Sequence, residues 1–170
     1  MKRSVLVIIC LLAIFAISGN VMAMNTPVVV KNHGVVTWRM LGGDGIVLGV
    51  EYGFTPKLAL AADFGSGNQK LGLKYEVNNS FALLGGIDDS SAAYLGINGG
   101  KPINNSLTGL YEISLSSQGE DFALMYKLGG KVNLRRAFDI NSGNVDLRGG
   151  LVGTGTDDFP EITVGIGYSF

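Results

Sequence analysis

The sequence predicts an all-β fold in which one antiparallel, up-and-down sheet closes into a transmembrane β-barrel. Three observations point there. The chain opens on a short apolar run behind two basic residues, apolar residues alternate with small or charged ones from Ile46 onward, and Gly, Asn, Asp and Ser punctuate that alternation at hairpin intervals. At 170 residues, 46% hydrophobic, with a mean hydropathy of +0.31, the chain has one domain's length and is more apolar than a small soluble domain.

The first element is read as a secretory signal peptide over residues 1–23, which leaves 24–170 as the barrel domain. Lys2 and Arg3 form the positive region, Val5 to Ile17 the apolar run, and Val21-Met22-Ala23 a small-residue cleavage site. A membrane-spanning helix needs ~20 apolar residues, whereas this run stops after 13, at Ser18, Gly19 and Asn20. Cys10 lies in mid-run, a poor position for a lipoprotein cysteine. Cleavage removes it, so neither a disulfide nor a thiolate metal site is expected in the rest of the chain. The cut also takes two of 13 basic residues and none of 14 acidic ones, leaving 11 against 14, a formal charge of −3. That balance offers no basic field for nucleic acid.

The clearest strands place Ile46, Leu48, Val50, Tyr52, Phe54; Leu58, Leu60, Ala62, Phe64; Leu71, Leu73, Tyr75, Val77; Phe122, Leu124, Tyr126, Leu128; and Ile162, Val164, Ile166, Tyr168, Phe170 on one face. All 22 positions are apolar or aromatic, while ten of the 17 positions between them are small and five are charged. A soluble sandwich usually sets larger polar residues against its apolar face. A narrow, small, charged face suits the inner wall of a small barrel, with the apolar face toward lipid. Nine residues at ~3.3 Å each, tilted by ~40°, rise about 23 Å, close to the ~25 Å apolar band of an outer membrane. Tyr52, Phe54, Phe64, Tyr75, Phe81, Phe122, Tyr168 and Phe170 lie at or near strand ends, as interfacial aromatic girdles do.

Residues 161–170, Glu-Ile-Thr-Val-Gly-Ile-Gly-Tyr-Ser-Phe, resemble the closing strand of bacterial outer-membrane β-barrel proteins, which end in Phe with an aromatic two residues earlier. Ile162, Val164, Ile166, Tyr168 and Phe170 match that assembly signal. The resemblance covers this strand alone and implies export, periplasmic chaperones, the barrel-assembly machinery and outer-membrane lipid as partners. Counting back from it finds strands at 161–170, 144–152, 131–140, 121–128, 107–115, 92–98, 81–87, 69–77, 57–64, 45–54 and 35–41. An even count is expected. Adding Val28 to Lys31 makes the best guess twelve strands, with ten possible, and residues 99–106 and 153–160 as the longest external loops. Segment 92–98 has no cleanly apolar parity, and Arg136 falls on the lipid parity of 131–140.

Parity places Glu51, Asp63, Lys74, Glu76, Glu112, Lys127, Arg135, Asp139, Asp146 and Arg148 on the lumen side. Both signs occur in similar number, which permits a narrow wet path or a lumen closed by pairing. The single histidine, His33, sits in Asn-His-Gly without a serine motif and reads as turn chemistry rather than a catalytic base. Asp88 and Asp89, or Asp157, Asp158 and Glu161, lack the spacing of a calcium loop, and Gly65-Ser66-Gly67 and Gly153-Thr154-Gly155 lack a phosphate loop's continuation. No enzyme activity, metal or cofactor is therefore expected. The expected function is a small passive pore with a mixed-charge lumen. The alternatives are a closed structural or surface-binding barrel and an exported soluble β-sandwich binding protein.

Deleting Phe170, or replacing Leu124 by Arg on the lipid face, is expected to lower the yield of membrane-assembled protein in a fractionation assay. Normal yields of both variants would contradict the assigned faces.

Overall fold

A computed structural model describes residues 26–41, 45–65, 69–88, 90–118, 121–134, 145–155 and 160–170. Ten strands follow one another around a ring: β1 (Gly34–Leu41), β2 (Gly45–Gly53), β3 (Leu58–Gly65), β4 (Lys70–Asn78), β5 (Phe81–Asp88), β6 (Ala93–Pro102), β7 (Leu107–Gln118), β8 (Asp121–Asn133), β9 (Val145–Thr154) and β10 (Glu161–Ser169). Each pairs antiparallel with its neighbours in sequence, and β1 pairs with β10, so the sheet is a closed barrel. The closing seam runs from Val35 opposite Ser169 to Met40 opposite Val164. It ends in a reciprocal pair, Gly34 N–H to Phe170 O and Phe170 N–H to Gly34 O, both at 2.9 Å. The end holding Gly34 and Phe170 is termed lower below, and the opposite end upper.

Local chemistry explains the described turns. Between β2 and β3, Thr55 Oγ1 accepts from the N–H groups of Lys57 and Leu58 at 3.2 and 2.9 Å. Asn78 Oδ1 accepts from Ser80 N–H, and Asn104 Oδ1 from Ser106 and Leu107 N–H. Short polar side chains thus satisfy backbone donors where the ladder stops. Asp88 works the same way on Ser90 and Ala92 N–H.

Two sequence expectations about strand number are corrected. Gly129-Gly130 is not a turn: 121–128 and the start of 131–140 form the single 13-residue strand β8. Glycine suits an extended chain under a close neighbour as well as a turn, and here Gly129 and Gly130 face Gly150 and Gly149 of β9. Residues 28–31 are not a strand either. Residues 26–33 instead form a strap at the lower mouth, touching the sheet's pattern only through an isolated parallel bridge from Lys31 to Gly53. Ten strands result, not twelve. Merging two strands also exchanges the ends of every earlier turn. The connection after β6 shrinks to residues 103–106 and lies at the lower end, where β8 also ends and β9 begins, while β9 ends and β10 begins at the upper end. Arg136, Asn141-Ser142-Gly143 and the remainder of 131–140 lie outside the described residues.

The alternation turns the fold inside out relative to a soluble domain. Outward positions carry large exposed apolar side chains, among them Trp38, Met40, Leu73, Leu95 (73% exposed) and Phe122 (76% exposed), whereas Arg39, Glu51, Lys74, Lys127, Asp146 and Arg148 are buried. The aromatics read from the sequence as girdle residues are on the outside, which removes the sandwich reading in which they would fill a core. Segment 92–98 had no clean parity because β6 turns Tyr94 inward and Leu95 outward, reversing the usual position of an aromatic. Space for the Tyr94 ring comes from Gly72, where a Cβ would meet its hydroxyl.

Two cross-strand glycine pairs face the lumen, Gly72 with Gly86 and Gly129 with Gly150. On the concave side of a strongly curved sheet, neighbouring Cβ positions converge, so a Cβ at Gly150 would lie 2.8 Å from Gly129 Cα, and one at Gly86 2.5 Å from Gly72 Cα. Gly149, one residue earlier and facing outward, has nothing closer than Thr163 O at 3.4 Å. Gly150→Ala is accordingly expected to destabilise the barrel by ~1–3 kcal/mol through overpacking, and Gly149→Ala to change stability by less than ~1 kcal/mol. Urea unfolding of both variants in phospholipid vesicles measures the contrast, and equal effects would contradict the curvature assigned to the β8–β9 pair.

Candidate functional site

The candidate site is the lumen, and its layout follows from which inward positions are small. Arg39 on β1 reaches Asp63 on β3 over Gly49 of the intervening β2. A Cβ at Gly49 would collide with the Arg39 guanidinium and lie 2.9 Å from Asp63 Oδ1, so glycine makes room for the pair. One step lower, Lys74 on β4 pairs with Glu51 on β2 above Ala59 and Ala61 of β3. Lys127 Nζ meets Glu112 Oε1 at 2.6 Å directly across the β7–β8 ladder. Arg148 forks onto Asp146 of its own strand, Nε to Oδ1 at 2.5 Å and Nη2 to Oδ2 at 3.1 Å. Gly167 of β10 leaves room for that fork.

All four pairs are nearly removed from water; Lys74, for example, is 1% exposed. A buried charge is tolerated only when paired and hydrogen bonded, which explains why the inward charges come as matched partners. Thr37 and Asn98 fill further inward positions, with hydrogen bonds to Gly49 O at 3.4 Å and Tyr111 O at 3.3 Å. The space left in this layer is a cavity of about 40 Å³.

Below this layer the strap enters the mouth. Lys74 Nζ donates to Thr26 O at 2.8 Å, and Val29 N–H donates to Glu76 Oε2 at 2.5 Å. Asn32 N–H reaches Gly53 O at 2.7 Å, and Gly53 N–H returns to His33 O at 3.0 Å. Asn32 adopts a left-handed backbone, φ 59°, which bends the chain from the lumen back toward β1. Val29 and Pro27 are buried, and Gly53 and Gly100 lack the Cβ atoms that would obstruct the strap. A wider space of about 410 Å³ remains around it, bounded by His33, Glu51, Lys131 and Ser169 among others.

Of the residues assigned to the lumen by parity, Glu51, Asp63, Lys74, Glu76, Glu112, Lys127, Asp146 and Arg148 have side chains in the barrel interior; Arg135 and Asp139 lie outside the described residues. Arg39, Lys70, Tyr94 and Asn98 were missed. The signal for the first two was present, since Trp38 and Met40 set the parity of β1, and Leu71 and Leu73 that of β4. Tyr94 carried none, an aromatic on an inward position being indistinguishable from a girdle residue. Ile162, Val164, Ile166, Tyr168 and Phe170 line the outer face at the seam, and the last two rings stack at 6.3 Å. Asp88 accepts from Ser116 Oγ at 2.8 Å in addition to its turn bonds, Asp89, Asp157 and Asp158 lie outside the described residues, and no metal-binding cluster occurs among the described residues. His33 is exposed, and no described hydroxyl hydrogen bonds to its imidazole.

Lys74 joins two strands and the strap, so its loss leaves the buried Glu51 without its cation. Lys74→Met is expected to cost ~3–5 kcal/mol of unfolding free energy, and Lys74→Met combined with Glu51→Gln distinctly less than the single change. A double-mutant cycle in urea checks this; additive losses would contradict the pairing.

No family model matches the chain, and no curated protein matches it. Among solved structures, a chain from work described as "De novo design of transmembrane beta-barrels" aligns over 88% of this chain and 100% of its own length, at 14% identity and a TM-score of 0.40.

Proposed function

We propose that this chain is a non-enzymatic, integral outer-membrane β-barrel whose lumen is closed by its own ion pairs and strap, serving as a structural or surface-contact barrel. One observation carries the membrane reading: the outward residues of the strands form an apolar belt around a ring that has no edge. Soluble monomers rarely expose contiguous apolar patches beyond a few hundred Å², and in lipid only a closed sheet leaves no backbone group unpaired. The leader-like residues 1–23 and the pattern of 162–170 support export and the outer membrane as destination.

The ion-paired layer favours the closed reading over the passive pore expected from the many small inward residues. A ~40 Å³ space holds about three waters rather than a file through the barrel, and the strap fills part of the mouth beneath it. The pore remains as a second reading because the lower mouth is wide, about 410 Å³, and charged groups of both signs lie above it. The barrel-assembly machinery, periplasmic chaperones and lipid are the partners this location entails.

Planar-bilayer recording of the detergent-refolded chain, after confirming that unheated and boiled samples migrate differently on a denaturing gel, separates the readings. The closed barrel is expected to shift on heating and to give no discrete conductance. Reproducible steps would overturn closure in favour of the pore, and absence of a heat shift would overturn the membrane barrel itself.

A further inference from the structure

Among the described residues that border the small cavity, cations outnumber carboxylates by one. Four cations, Arg39, Lys70, Lys74 and Lys127, and three carboxylates, Glu51, Asp63 and Glu112, border the 40 Å³ cavity. Each carboxylate is committed, Asp63 to Arg39, Glu51 to Lys74 and Glu112 to Lys127. Lys70 has no carboxylate within ion-pair distance among the described residues. Its cross-strand neighbours are both acidic, Asp63 on β3 and Asp88 on β5. Asp63 serves Arg39, however, and Asp88, whose oxygens accept from Ser90, Ala92 and Ser116, does not border the cavity. Lys70 Nζ rests instead 5.4 Å from the centroid of the Tyr94 ring and 3.4 Å from Met125 Sδ, a weak acceptor.

Two further donors border the same cavity without an acceptor. Arg39 is 3% exposed and its Nε–H has no hydrogen-bond partner, and the Tyr94 hydroxyl makes no hydrogen bond to any described residue. Two donors without an acceptor, a weakly held ammonium and a small cavity bordered by four cations and three carboxylates have one chemical complement. We infer that this cavity binds a single small inorganic anion of chloride size, held by Lys70 with Arg39 and Tyr94. One water needs ~10–15 Å³ of such space, so a monatomic anion fits while a sugar acid such as gluconate does not. The anion balances the extra cation at the cavity, where an unpaired buried charge would otherwise oppose folding. This inference rests on the barrel fold and its paired lumen, not on where the barrel resides.

The test is refolding of the full chain in zwitterionic detergent with sodium chloride, or sodium gluconate at equal ionic strength, followed by thermal unfolding of the heat-modifiable species. A saturable rise in the midpoint with chloride, absent in Lys70→Met and retained in Lys57→Met in the exposed β2–β3 turn, is the expected result. Tyr94→Phe, which keeps the ring and removes one donor, should raise the half-saturating chloride concentration several-fold and covers the case in which Lys70→Met fails to fold. Crystals grown in bromide should show an anomalous peak beside Lys70 Nζ. Identical midpoints in chloride and gluconate, a chloride response unchanged in Lys70→Met, or a bromide peak absent from the cavity would overturn the anion site while leaving the barrel reading intact.

Discussion

The seam between β1 and β10 is the constraint on which the rest depends. Without it the ladder would end in two rows of unpaired N–H and C=O groups beside an apolar belt, each costing several kcal/mol in lipid. Closing ten strands fixes the ring's circumference, and that circumference sets how much volume lies inside. The seam also seats the strap, because Gly34, the first residue of β1, pairs with Phe170 immediately after residues 26–33 leave the lower mouth.

Once the ring is closed, half of the interior's ion pairs span three strands at a time. Two of the four pairs reach from one strand to the next but one, and the strand between contributes a glycine or alanine at that level: Gly49 beneath Arg39 and Asp63, Ala59 and Ala61 beneath Glu51 and Lys74. Small and charged inward residues are therefore parts of one arrangement. The same logic closes the lumen. Side chains long enough to reach over a neighbouring strand occupy the space that glycine and alanine appear, residue by residue, to leave empty.

Much of the fold was legible because a half-buried strand repeats every two residues, and both faces of this chain obey that period. Ile46 to Phe54, Leu71 to Val77 and Ile162 to Phe170 could be assigned to a face from alternation alone, whereas the directions of the first two depended on the strand count. What failed did so where one residue type serves two purposes. Gly129-Gly130 has turn chemistry but lies within β8, where facing glycines let the sheet curve. Val28 to Val30 has strand composition, but Glu76 accepts from Val29 N–H and Lys74 donates to Thr26 O, which hold the segment in the lumen mouth instead of the ladder. Counting inward charges by parity located most of the site. Pairing them needed the shear of the closed sheet, which sets residues from non-adjacent strands at one level and has no signature in local sequence. Tyr94 was invisible because an inward aromatic has the same local pattern as a girdle residue, whereas the inward parity of Arg39 and Lys70 was legible and only their partners were not.

The proposed membrane barrel requires that one face of each strand meet lipid while the other meets a filled interior. Residues 24–170 lack cysteine, so single cysteines carrying a nitroxide can be placed along β4 without a background label. Labels at 71 through 76, in lipid vesicles, then report accessibility to dissolved oxygen and to a water-soluble nickel chelate. Strong oxygen contact is expected at 71, 73 and 75, and weak contact with both reagents at 72, 74 and 76. High nickel accessibility at the even positions would contradict the closed lumen, and high nickel accessibility at the odd positions would contradict the lipid-facing belt.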